Sequence, residues 1–237
     1  MKITLTILFV FAISKSLFAQ YNGNDFAVGV YSVYTNTTSI FLNPNASDIV
    51  LRNQSFEIDD IFNPAIDLRY RVSDPLIIGL NIEYIKKTSV GPNLNAFVGT
   101  TVITIDVEDG FKMIPVELTA YYLLPFSTEK FKFLMGGGGA FYTGEFIRKV
   151  GDAEITNVES EKSFGIQVMA SMNYLPLENL IIRFQMKFRD PQITVSSKYN
   201  KNEAVYQGQI ITLPQQPFDT KIDMDGITFL LGAAFQF

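Results

Sequence analysis

The sequence predicts an all-β protein, an eight-stranded antiparallel up-and-down β-barrel that crosses a membrane on its strands. Three observations lead there. In the closing stretch 226–237, Ile227, Phe229, Leu231, Ala233, Phe235 and Phe237 form one apolar face, opposite the smaller or more polar Gly226, Thr228, Leu230, Gly232, Ala234 and Gln236. A period of two is the mark of a strand, and a wholly apolar face suits contact with lipid. Seven earlier segments share the alternation, and the connections between segments are short and long by turns.

Residues 1–19 read as a secretory signal peptide, with Lys2, an apolar run over 3–13, and 14–19 before Gln20. That run is shorter than the ~20 residues a spanning helix needs. Residues 20–237 are then the barrel. Its first strand, 25–34, sets Phe26, Val28 and Val30 against Ala27, Gly29 and Tyr31. The second, 64–72, sets Ile66, Leu68, Tyr70 and Val72 against Ala65, Asp67, Arg69 and Arg71. The third, 76–86, opposes Ile78, Leu80, Ile82 and Tyr84 to Gly79, Asn81 and Glu83. In the fourth, 111–123, Ile114, Val116, Leu118, Ala120 and Tyr122 face away from Glu117, Thr119 and Tyr121. Pro115 donates no ladder hydrogen bond and belongs near the rim of that strand or at a bulge.

The fifth segment, 131–146, contains Gly136 to Gly139 and alternates least, its glycines permitting sharp curvature or room for large opposing side chains. The sixth, 162–174, places Phe164, Ile166, Val168, Ala170, Met172 and Tyr174 opposite Gly165, Gln167, Ser171 and Asn173. The seventh is the cleanest: Leu180, Ile182, Phe184, Met186 and Phe188 alternate with Ile181, Arg183, Gln185, Lys187 and Arg189. Residues 73–75, 125–130 and 176–179 are tight connections, each holding a Pro. Residues 35–63, 87–110, 147–161 and 190–220 are long and polar. Short periplasmic turns and long external loops are the layout of an outer-membrane barrel. A soluble lipocalin-like barrel carrying a ligand inside also has eight strands, but gives no reason for every second loop to be long.

Composition narrows the chemistry. There are 21 Phe and 11 Tyr, which favour strands, and no Cys, His or Trp. Disulfides and thiolate chemistry are excluded, and the commonest general base and metal ligand are both missing. The net charge is −5, and two units lower without Lys2 and Lys15, so there is no basic footprint for nucleic acid. The acidic residues of the long connections, among them Asp59, Asp60 and Asp109, lack Ca²⁺-loop spacing and are expected to be solvated. No catalytic residue, metal or cofactor is assigned.

The ending Gly232-Ala233-Ala234-Phe235-Gln236-Phe237 resembles the carboxy-terminal signal read by the barrel-assembly machinery, with Gly232, Phe235 and Phe237 in the positions that matter. The mature chain resembles the small eight-stranded outer-membrane barrels, of the OmpA-like and OmpW-like kind. That resemblance implies a monomer in the cell outer membrane, with lipid and the assembly machinery as partners and an unknown partner at its external loops. The hydrolases, acyltransferases and proteases built on this architecture use a His in their catalytic sets, and its absence here implies a protein that is not an enzyme.

The faces opposite the apolar ones collect Asp67, Arg69, Arg71, Glu83, Glu117, Arg183, Lys187 and Arg189. An eight-stranded barrel is just wide enough inside for side chains to fill it, so these charges must pair. Two outcomes follow: a salt-bridged closed core, or a narrow pore favouring anions through its basic excess. An OmpW-like conduit for small hydrophobic molecules, lined by Tyr31, Met169, Ile181 and Leu230, is the alternative.

Overall fold

The computed structural model describes residues 25–98 and 101–237. The expected signal peptide lies outside the described residues. Among the described residues fourteen strands form: β1 (Phe26–Phe41), β2 (Ser55–Arg71), β3 (Leu76–Glu83), β4 (Ile85–Val98), β5 (Thr101–Leu123), β6 (Phe131–Val150) and β7 (Ala153–Ser160) in the first part. They continue with β8 (Ser163–Leu177), β9 (Leu180–Arg189), β10 (Gln192–Tyr199), β11 (Glu203–Tyr206), β12 (Gln209–Thr212), β13 (Phe218–Asp223) and β14 (Gly226–Gln236). One helical turn, α1 (Ile49–Arg52), is capped by the Asp48 carboxylate.

Eight strands close a ring by antiparallel pairing, in the order β1, β2, β3, β5, β6, β8, β9, β14 and back to β1. They coincide one for one with the segments that alternate in the sequence. The seam is β1 on β14, from Ala27 opposite Gln236 to Thr35 opposite Thr228, with Phe26 and Phe237 exchanging backbone hydrogen bonds beyond it. Short turns lie at one end of the ring.

The long connections are not the polar loops their composition suggests. They are largely strand, and they lengthen the ring strands at the other end. Arg189 pairs with Gly226 and Gln192 with Asp223, so β9–β10 and β14–β13 keep one register through the join. Ile82 pairs with Val116 and Ile85 with Met113, so β3 and β4 are likewise one strand with an interruption at Tyr84. Pro115 faces that interruption from the middle of β5, where no ladder donor is needed, rather than from a rim.

The extension has its own apolar interior, including Ile40, Ile58, Ile61, Ile85, Phe111, Met113, Phe146 and Ile193. Above it the β11–β12 hairpin folds over, packing Ala204 and Ile211 against Val107, Val150 and Tyr199. The wall is incomplete here. The β2–β3 ladder stops at Ala65 opposite Glu83; among the described residues, 55–63 then pair only with β1, and β4 only with β5. Lys87 Nζ bridges the separation by donating to the Asp60 carbonyl at 3.1 Å.

The glycine run fits into β6 without breaking it. A Cβ on Gly136 would stand 2.8 Å from the Tyr121 ring, and one on Gly79 equally 2.8 Å from its other edge, so Tyr121 lies inside the ring between two glycines.

Candidate functional site

The interior halfway up the ring is ionic, and alternation puts it there. Along β9, Arg183, Gln185, Lys187 and Arg189 point inward and are buried, while Ile182, Phe184, Met186 and Phe188 point outward. Asp67 and Arg69 reach in from β2, Glu83 from β3 and Glu117 from β5, all 1 % exposed or less.

Two tiers form. In the one nearer the short turns, Asp67 lies between two guanidinium groups, at 2.6 Å from Arg69 Nε and 2.9 Å from Arg183 Nη1. The Tyr31 hydroxyl donates to the same carboxylate at 3.1 Å. Arg69 Nη2 donates to Gln185 at 2.9 Å, and its guanidinium sits 3.8 Å over the Tyr121 ring. Arg183 Nε donates to the Asn173 side-chain oxygen at 2.9 Å.

The next tier is a square. Lys187 Nζ bridges Glu83 at 2.5 Å and Glu117 at 2.6 Å, and Arg189 bridges the same two carboxylates at 3.0 and 3.1 Å. Asn63 donates to Glu83 at 3.4 Å. The Gln167 amide lies between the Thr119 hydroxyl at 2.9 Å and Glu117 at 3.0 Å, oriented so that its nitrogen faces the carboxylate. Each of the three carboxylates is thus held by two cations. Bridging charge-assisted contacts of this kind fix geometry and offset part of the desolvation that would make a lone charge untenable.

Seven of the eight charged residues singled out in the sequence therefore meet. Arg71 stands apart: it lies at the short-turn end, 3.8 Å from Asp25 and 3.7 Å from the exposed Asp74. Tyr31, Tyr121, Gln167 and Gln185 were legible as inward-facing residues but not as partners. Of the expected conduit lining, Tyr31 and Leu230 pack with Val33 and Ala65, Met169 with Ile77, Tyr121 and Leu134, and Ile181 with Leu175 and Ala234. The closing residues lie on the seam: Gly232 pairs with both Tyr31 and Arg183, and Phe237 stacks at 6.3 Å on Phe26.

A second ion pair was missed. Asp109 is buried rather than solvated, because Arg148 Nε and Nη2 both bind its carboxylate, at 2.6 and 2.7 Å. Both residues belong to segments that read as polar loop, and nothing in the spacing joins them. Burial pushes the neighbouring Tyr199 phenol up from its ordinary value, with Arg148 opposing, and the Asp109 carboxylate helps raise Arg148 against the burial that lowers it. Two clefts flank this pair, of about 400 and about 410 Å³. No cluster of His, Cys, Asp or Glu among the described residues has the geometry of a metal site.

No known family model matches the chain, and no curated protein sequence does. Solved structures do. The outer membrane protein OprG from Pseudomonas aeruginosa matches at 14% identity and a TM-score of 0.58, over 90% of this chain and 96% of that one. AlkL, solved in lipid bilayers, matches at 15% identity and 0.49, over 94% of each chain. The attachment invasion locus protein Ail of Yersinia pestis matches at 10% and 0.47, over 90% and 99%. Identities this low bear on the fold alone, and the OprG match carries it: the chain has the fold of the small outer-membrane β-barrels.

Proposed function

We propose that this chain is a monomeric, non-enzymatic, eight-stranded barrel of the outer membrane, closed at mid-height by its ionic interior. Its strand extensions and hairpin form the external working surface. The observation that carries this reading is the square of Glu83, Glu117, Lys187 and Arg189, which leaves no unpaired carboxylate to line a water-filled path. The membrane setting is supported by the outer face. All eight ring strands expose large apolar residues there, for example Val30, Ile66, Leu80, Leu118, Met135, Ile166, Phe184 and Leu231. A soluble barrel rarely presents so continuous an apolar girdle, since patches beyond a few hundred Å² drive association. Lipid supplies the contact instead, and the closing residues Gly232, Phe235 and Phe237 supply the assembly signal.

The test is electrical. Mature protein refolded into a planar bilayer should show heat-modifiable gel migration and no steady conductance. Anion-preferring channels whose selectivity shifts with Arg183→Glu would overturn the closed reading.

One observation favours a second reading, a conduit for small apolar molecules. The apolar cluster around Ile58, Ile61 and Ile85 lies directly beside the unpaired stretch of wall between β2 and β4. That reading predicts that Ile61→Lys, by charging the apolar cluster, slows entry of an apolar fluorophore into proteoliposomes. The closed reading predicts no entry to slow.

A further inference from the structure

The two clefts at the extended end share Arg148 but differ in chemistry. The first carries Lys86, Glu108, Lys149 and Glu154, open charge of both signs. The second, of about 410 Å³, takes its polar lining from five carboxamides, Asn43, Gln54, Asn93, Asn95 and Gln216. They converge from the β1–β2 connection, from β4 and from the approach to β13, so the enrichment is made by the fold and not by one Asn-rich stretch. Among the described residues its only charged side chain is Arg148, and Asp109 neutralises that through two hydrogen bonds. Asn95 accepts a hydrogen bond from Thr104 at 2.9 Å; among the described residues, the exposed side chains of Asn43, Gln54 and Gln216 and the half-buried one of Asn93 make no hydrogen bond. The apolar share comes from Leu42, Leu51, Leu94, the stiff Pro214 and Pro217, and the half-buried Phe218 ring, which packs at 5.4 Å and a tilt of 37° on the buried Tyr199.

Each carboxamide places two donors and an acceptor side by side, a match for adjacent hydroxyls that both give and accept hydrogen bonds. An apolar ligand would bury those amides unpaired, at a cost of ~1–3 kcal/mol for each group left unsatisfied. A phosphate or carboxylate would find no free cation. A sugar ring has hydroxyls at its edge and a C–H face that packs on an aromatic ring. The volume lies within the ~300–1,000 Å³ usual for small-molecule sites. We propose that this cleft binds a neutral saccharide. The outer-membrane reading enters only in saying where the sugar is met, as a free external glycan or as the sugar of an outer-leaflet glycolipid.

The test uses the full mature chain, in detergent, or in plain buffer if it is recovered without detergent. Maltose, cellobiose, chitobiose and a neutral oligosaccharide released from lipopolysaccharide are titrated, with glucose 6-phosphate and glucuronate as charged comparators. Tyrosine fluorescence is usable because the chain has no Trp, and side-chain amide NMR shifts report the carboxamides directly. At least one neutral sugar should bind, shift those amides, and bind about tenfold more weakly to the Asn93→Ala/Gln216→Ala double variant, the loss expected for one or two hydrogen bonds. Binding by the free disaccharides assigns the source to soluble glycans; binding by the lipopolysaccharide fragment alone assigns it to the glycolipid. No neutral binding up to about 10 mM, equal binding by the double variant, or tighter binding of the charged comparators would each overturn the proposal. Failure to show heat-modifiable migration would count against the outer-membrane reading and leave the titration to judge the cleft.

Discussion

At the residue scale, the interior charges differ in what their loss should cost, because they differ in burial and in partners. Lys187 is fully buried and touches both Glu83 and Glu117. Lys187→Met leaves Arg189 as the one cation for two buried carboxylates, and breaking a buried pair from one side typically costs ~3–5 kcal/mol. Arg71, partly exposed with both partners beyond 3.5 Å, should cost no more than ~1 kcal/mol on the change to Met. Denaturant unfolding from lipid vesicles measures both, and equal losses would mean that the square is not an energetic unit. Gly136 gives a steric test of the same interior. Its Cβ would press on Tyr121, so Gly136→Ala should lose ~1–3 kcal/mol by overpacking, and a Tyr121→Leu background should recover most of it.

At the scale of elements, the β11–β12 hairpin is held by its apolar packing and by an anchor at its base. In the turn between β6 and β7, Asp152 binds Lys201 Nζ at 2.6 Å and accepts from the Val205 backbone N–H at 2.9 Å. The Lys201 contact, followed by the Val205 amide, holds the Asp152 carboxyl below its ordinary range. A depressed carboxylate contributes its stability above the unfolded value, ~3.9, and loses it only as pH falls through the folded one. Hydrogen-exchange protection of the hairpin should therefore be flat from pH 8 to about 5 and fall below about pH 4, whereas Asp152→Asn should be low and flat throughout. A fall in the wild type already between pH 7 and 5 would remove Asp152 from this role. These extensions were also the part the sequence hid. In β2 the buried residues Ile58 and Ile61 are three apart, because Asp59 and Asp60 both face out and Asp60 takes a positive φ of 53°. Register shifts at Gly91/Leu94 in β4 and at Val158 in β7, opposite Ser196/Ser197, break the period in the same way. Strict alternation survives in β9, so the strand and its inward cations were readable there. The pairs were not: Lys187 and Glu117 are 70 residues apart and meet across the ring, a contact that depends on register, not on pattern.

At the scale of the whole molecule, the tiers order themselves by solvent. Apolar side chains face outward around the ring, ions face inward at mid-height, and apolar clusters fill the interior above and below. On the proposed membrane reading, this is a folded protein turned inside out at its waist, its apolar side chains directed toward lipid. The outward residues of β9, Ile182, Phe184, Met186 and Phe188, are a ruler along that waist, each between 38% and 49% exposed. Changing them to Arg one at a time separates the two solvents. In lipid, the cost of an outward Arg is ~2–4 kcal/mol at the midplane and ~0–1 kcal/mol near the interfaces, so the refolding free energies should rise and fall along the strand. In water, an added surface charge changes stability by no more than ~0.5 kcal/mol wherever it is placed. A peaked profile would locate the bilayer centre relative to the ionic tiers. A flat one would mean that the girdle meets another surface, and with it the outer-membrane reading would fall.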